Sequence, residues 1–141
     1  MPQNISVHLS GNDKLDLELI QIEISQTLVY ILANIIALIS AALARQIIIQ
    51  RASGIQPSHS KSSQLAALAS GLGLLSNITL GEVAFVRLHE TENNIQSGAS
   101  TFSITPNVNI TTGYLYSIIG SFLRTLGALQ RVNEEAQITI L

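Results

Sequence analysis

An uninterrupted apolar run from residue 15 to residue 50 limits most strongly what this chain can fold into. The run has no glycine or proline and is too long for a strand, so it predicts one long helix. Its polar residues fall on one line of that helix, while Ile and Leu cover the remaining circumference. The line consists of Asp16, Glu23, Thr27, Tyr30, Asn34 and Arg45. We expect this helix to be buried nearly all round, by copies of the chain or by lipid, because 141 residues cannot surround it.

The low charge of the chain supports the same expectation. Only 11% of the residues are charged, where about 25% is typical, and 47% are hydrophobic. A monomer with so few charges would have a poorly hydrated surface, so much of that surface is expected to be covered. The seven Lys and Arg residues are scattered and the net charge is -2, which gives no basic patch for nucleic acid. The absence of cysteine excludes disulfides and thiolate metal sites.

The predicted fold is α+β, mainly helical, in a single domain over residues 1–141. Residues 1–52 are expected to form an N-terminal strand and the long helix, and residues 53–62 a flexible link. Residues 63–141 are expected to form a helix, a hairpin, a second helix and a C-terminal strand. Alternation of apolar and polar residues predicts the two terminal strands. Leu15, Leu17 and Leu19 also alternate with acidic residues, so the first turns of the long helix have an extended alternative. Asn12 or Asp13 is its expected cap.

Beyond residue 62, small residues recur in two helical patterns. The first pattern, over residues 63–76, aligns Ala66, Ser70 and Gly73. The second, over residues 112–132, repeats glycine at heptad spacing, and small residues at such spacings let helices approach closely. Between them, alternation predicts a hairpin with strands at 83–88 and 101–111 around a polar turn, and Pro106 is typical of an edge strand. The repeated glycines are Gly113, Gly120 and Gly127.

The candidate chemical sites are weak. The side chains of His89, Glu90 and Glu92 would diverge on a strand-to-turn segment, so no metal site is predicted. His59 lies in the flexible link, and the glycines around Ser70 lack the frame of a phosphate loop. There is no nucleophile elbow. We therefore predict no catalytic activity, no cofactor, no metal and no small-molecule substrate.

The polar seam of the long helix, Glu23, Thr27, Tyr30 and Asn34, has two interpretations. It would line a pore if the helix spans a membrane. In a water-soluble assembly it would face water or form an interhelical hydrogen-bonded seam, and this is the interpretation we adopt.

The sequence as a whole predicts a structural, self-assembling protomer of a homo-oligomeric filament, tube or shell, whose partner is itself. The expected assembly interface combines the apolar face of the long helix with the glycine seam. It consists of Ile31, Ile35, Ile36, Leu38, Ile39, Gly113, Gly120 and Gly127. The alternative is a small membrane protein with one spanning helix over residues 26–49, oligomeric or pore-forming. The N-terminus does not resemble a cleavable signal peptide, so synthesis in the cytoplasm is expected, with an extracellular or surface assembly left open.

Overall fold

The computed structural model describes residues 12–55 and 61–138, which form three long helices. These are α1 (Asp13–Ala52), α2 (Ser62–Gln96) and α3 (Thr105–Ile138). Helices account for 89% of the described residues, and none of those residues lies in a strand. At about 1.5 Å per residue, each helix is about 50 to 60 Å long. The predicted α+β class is therefore wrong, and the fold is an all-helical bundle.

The long helix was predicted correctly, and its two ends show why it begins and stops where it does. Asn12 caps α1, because its side-chain oxygen accepts a hydrogen bond from the N–H of Leu15 at 3.3 Å. The extended alternative for the first turns is wrong. At the other end Gly54 adopts a φ of 75°, and the N–H of Ile55 bonds the carbonyl of Gln50. This turn satisfies carbonyls that the helix leaves without partners.

The predicted hairpin is wrong, because α2 continues through its first strand and its polar turn. Val83 and Ala84 are both buried, whereas strand neighbours point to opposite faces. A helix with a neighbour on two sides buries residues around most of its circumference, and that produces an apolar run without a clear period. The polar segment that follows is the end of the same helix, and Gly98, with a φ of 73°, marks the turn after it.

The second predicted strand overlaps the start of α3. Pro106 is the second residue of that helix. N–H groups in the first turn of a helix have no intrahelical acceptor, so a proline there costs no hydrogen bond. The predicted N-terminal strand at residues 5–9 lies outside the described residues. Of the predicted C-terminal strand, Gln137 and Ile138 belong to α3 and the rest lies outside the described residues.

α2 is the middle helix, with α1 packed on one side of it and α3 on the other. Across the described ranges, no Cα atom of α1 comes within 8 Å of one in α3. Ser40 lies opposite Ser62, and Gln26 lies opposite Ser76, so α1 and α2 run antiparallel. α2 and α3 are also antiparallel. α1 and α3 are therefore parallel to each other, and both of them pack on α2.

Candidate assembly surfaces

The most deeply buried residues of α1 are mainly small or polar. They are Asp16, Leu19, Ala33 and Ser40, of which only Leu19 is a large aliphatic residue. Half-buried side chains extend this face, and they include the polar Glu23, Gln26 and Tyr30 as well as the aliphatic Ile36 and Ile47. These positions recur at spacings of three, four and seven, as in helices that cross at a shallow angle. The contact between α1 and α2 therefore combines polar groups with aliphatic side chains.

α3 packs on α2 in the same way. Its covered residues also follow a heptad: Asn107, Thr111, Tyr114, Ile118, Ser121, Thr125, Ala128 and Val132. The stripe of larger apolar residues that the sequence indicated as the packing side lies elsewhere. Leu115 is 57% exposed and Phe122 is 54% exposed. The apolar stripe of α3 therefore faces away from the other helices of its own chain.

α2 presents small side chains to both neighbours. Its buried residues are Ser63, Ala67, Ala69, Ser70, Gly73, Ser76, Val83 and Ala84. Small residues let helix backbones approach, and their hydroxyl groups then reach carbonyls of the neighbouring helix. Sequence analysis identified Ser70 and Gly73 as part of a packing seam, and the structure places both of them in the interior.

Hydroxyl groups join the three helices directly. Ser40 donates a hydrogen bond to the carbonyl of Ser62 at 2.7 Å, and Ser76 donates to the carbonyl of Gln26 at 3.2 Å. On the other side of α2, Thr111 donates to the carbonyl of Ala84 at 3.2 Å. Each such bond contributes about 1 kcal/mol net to stability. Polar contacts thus fix the register of the bundle.

One ion pair also joins α1 to α2. Nη2 of Arg87 lies 2.9 Å from Oε2 of Glu23, and the two side chains are 20% and 36% exposed. Partial exposure limits such a pair to about 1 kcal/mol. Nε of Arg87 is buried and has no hydrogen-bond partner within the described part of the chain. The pair is an interhelical link, consistent with the seam interpretation for Glu23.

The other predicted seam residues divide between interior and surface. Tyr30 packs against α2: a Cβ built on Gly73 would lie 3.8 Å from its ring, and 3.2 Å from Nη2 of Arg124. Side chains of α1 and α3 therefore both lie over this glycine. Thr27 and Asn34 are exposed, on the flank of the interface. The seam is interhelical at Glu23 and Tyr30, and it faces outward at the other two positions.

The predicted assembly residues lie mainly on the outside of the protomer. Ile31, Ile35, Leu38 and Ile39 are between 49% and 71% exposed, and Ile36 is half-buried. The glycine seam of α3 is also exposed, and a Cβ added at Gly113, Gly120 or Gly127 would meet no atom within 4 Å. Apart from Ile36, these residues contribute little to packing within the protomer. They remain available to another molecule.

The apolar exterior extends over all three helices. α2 contributes Leu68, Leu75 and Phe85, which are 51%, 60% and 62% exposed. Exposed apolar side chains are therefore not confined to one helix of the bundle.

α1 and α2 are long and apolar enough to cross a membrane, judged by length and composition alone. The core helix of a soluble protein passes the same test, but its side chains would be mostly buried. Here only 11% of the most apolar window of α1 is buried, and 28% of that of α2. The protomer itself does not provide the apolar surroundings that these helices favour.

The fold does not bring the candidate metal-ligating residues together in one site. His89, Glu90 and Glu92 lie near the end of α2, not on a strand-to-turn segment. Within residues 12–55 and 61–138, no three His, Cys, Asp or Glu side chains come close enough to hold a metal ion. His59 lies outside the described residues.

No family model, no curated protein and no solved structure matches this chain.

Proposed function

We propose that this chain is a structural protomer that assembles with copies of itself into a filament, tube or shell. The observation that carries the proposal is the inverted distribution of its side chains. Most of the fully buried residues are small or polar, and most of the large aliphatic residues of α1 and α3 are exposed. Apolar surface of this extent is rare on a soluble monomer and marks an interaction surface.

The distribution of exposed apolar residues suits assembly on several sides. All three helices expose large apolar side chains, and a standard interface covers about 800 Å² on each partner. The protomer therefore has apolar surface for contacts with more than one neighbour.

Electron microscopy of the purified protein tests the proposal. In detergent-free buffer the chain should form large regular particles, and light scattering after size exclusion should give a mass many times 15.1 kDa. A well-behaved monomer in that buffer would contradict the proposal.

The glycine seam of α3 allows a test of which surface is used. Gly120→Leu adds a side chain in open space, so the protomer should keep its helical content and should gain about 1 kcal/mol of intrinsic helix propensity. If copies pack closely along the seam, the same variant should lose the large particles. Gly71→Leu is a matched control, because a Cβ at Gly71 also meets no atom within 4 Å but lies on α2, outside the seam. Equal particle formation by both variants would exclude the seam from the interface.

A second candidate function is a membrane protein in which α1 and α2 form a spanning hairpin. Residues 24–44 and 62–81 contain no Asp, Glu, Lys or Arg, and each stretch is about 30 Å long, the thickness of the hydrocarbon core. Small-residue packing with hydroxyl-to-carbonyl bonds is also typical of membrane helices.

The register of α3 favours assembly in water over the spanning hairpin. Arg124 lies beside Gly73, and Glu135 accepts a hydrogen bond from Ser63, so α3 places charged residues alongside the uncharged stretch of α2. A bilayer around that stretch would also enclose Arg124 and Arg131, each at a cost of about 3 kcal/mol at its centre. Membrane association that resists carbonate extraction would nevertheless favour the hairpin.

A further inference from the structure

Charged residues are segregated along the long axis of the bundle. Ser76 lies opposite Gln26, and Arg124 lies beside Gly73, so these contacts divide the bundle into two halves. One half contains the start of α1 and the end of α2. The other contains the end of α1, the start of α2 and the end of α3.

The two halves carry opposite net charge. The first holds seven carboxylates and two cations, net -5: Asp13, Asp16, Glu18, Glu23, Glu82, Glu90 and Glu92, with Lys14 and Arg87. The second holds five cations and two carboxylates, net +3: Arg45, Arg51, Lys61, Arg124 and Arg131, with Glu134 and Glu135. Together they contain every Asp, Glu, Lys and Arg of the chain. The electrostatic field of a protomer with opposite charges on its two halves orients two copies before they touch.

The ends of the helices are also staggered in a complementary way. Ser40 is opposite the first residue of α2, so about three turns of α1, to Ala52, extend past the start of α2. In the first half, which is the acidic end of the bundle, the same register places about two turns of α2 beyond the first residue of α1. In a second copy placed end to end, the projecting turns of α1 would lie in line with the next α1 and beside the projecting turns of α2.

On this basis we infer that copies join head to tail, with the basic end of one against the acidic end of the next. The inference rests on the proposed self-assembly and gives it a direction. Arg45 and Arg51 are exposed on the projecting part of α1, while Glu92 is exposed and Glu90 half-buried near the end of α2. These four side chains pair across the junction between copies. Assembly is then polar along the axis, and the outer apolar faces join such rows side by side.

Charge reversal at one end at a time tests this junction. Arg45→Glu with Arg51→Glu changes the net charge of the basic half from +3 to -1, and Glu90→Lys with Glu92→Lys changes that of the acidic half from -5 to -1, so each variant places like charges at the junction. Each variant alone should raise the protein concentration needed for half-assembly at least about tenfold, which corresponds to about 1.4 kcal/mol. An equal mixture of the two variants, or all four changes in one chain, should pair the reversed charges again. The concentration needed for half-assembly should then return to within about twofold of that of the unaltered chain. Arg131→Glu reverses one charge of the basic half but leaves the four junction residues in place, so it should weaken assembly much less than Arg45→Glu with Arg51→Glu.

Salt gives an independent readout of the same contact. The screening length falls from about 10 Å at 0.1 M to about 3 Å at 1 M, so particles of the unaltered chain should become several-fold shorter in 1 M salt. Lateral apolar contacts are not screened in this way, so particle width should persist.

The possible outcomes distinguish the head-to-tail contact from self-assembly in general. Particles of unchanged length in both charge-reversed variants would overturn the head-to-tail contact and leave self-assembly standing. Failure of the mixture to assemble would also overturn it. If the unaltered chain forms no particles, both proposals fall. Particles that form only on anionic vesicles, and that Arg45→Glu with Arg51→Glu abolishes while Glu90→Lys with Glu92→Lys does not, would assign the basic end to lipid headgroups instead.

Discussion

A chain that carries both Ile31→Asp and Leu38→Asp should remain helical and should lose the large particles. These two side chains are 50% and 71% exposed on α1, so they contribute little to packing within the protomer. Between copies, each new carboxylate would be buried without a partner, at a cost of several kcal/mol. Size exclusion with light scattering measures the dispersal, and circular dichroism measures the helix content.

Asn34→Leu is the matched control for this pair. It lies between the two positions in sequence and is also exposed, but the change adds no charge, so particles should survive. Ile36 is a poorer position for the test, because it is half-buried and Asp there would weaken the protomer as well as the contact between copies. Particles that persist with Asp at both positions would show that the outer face of α1 is not an interface.

Ser76→Leu should destabilise the protomer by about 3 kcal/mol, although it replaces a polar residue with an apolar one in the interior. Ser76 has no exposed surface, and its hydroxyl lies 3.2 Å from the carbonyl oxygen of Gln26. A leucine has no room there unless α1 and α2 separate, and the hydrogen bond is lost as well. Denaturant unfolding of the dispersed variant Ile31→Asp with Leu38→Asp, with and without Ser76→Leu, measures the difference.

Ser117→Leu makes the same chemical change on the outside of α3, where Ser117 is exposed. It should leave the free energy of unfolding of the dispersed protomer within about 0.5 kcal/mol. If Ser76→Leu stabilised the protomer, the spacing between α1 and α2 would have to be wider than the structure shows. Because both substitutions are measured in the dispersed protomer, they test whether small residues are required between the helices independently of any assembly.

The sequence predicted α1 well and the rest of the fold less well, for reasons that particular residues show. The long run without a breaker, with Asn12 before it and Gly54 after it, is a strong local signal for one helix. α2 gave no such signal. Its glycines weaken the helical pattern, and its two neighbours remove the amphipathic period on which the prediction depends.

The packing faces were missed because apolar residues were assumed to mark them. A heptad of small and polar residues was present in α3, from Asn107 and Thr111 to Val132, and it identifies the inner face once it is sought. In α1 the polar line included Asp16, Glu23 and Tyr30, which do face α2 or lie against it. The predicted assembly residues came from the apolar pattern of α1 and from the glycine repeat of α3. All of them except the half-buried Ile36 are exposed, and their role in assembly stays a prediction.

The order of the helices has a consequence for how the chain folds. Each helix packs on the one that precedes or follows it, and among the described residues α1 and α3 share no pair of Cα atoms within 8 Å. Contacts between sequence neighbours have a low entropic cost, so folding of this topology is expected to be fast. α1 and α2 can pair during synthesis before α3 has been made, and α3 then adds to a hairpin that already exists.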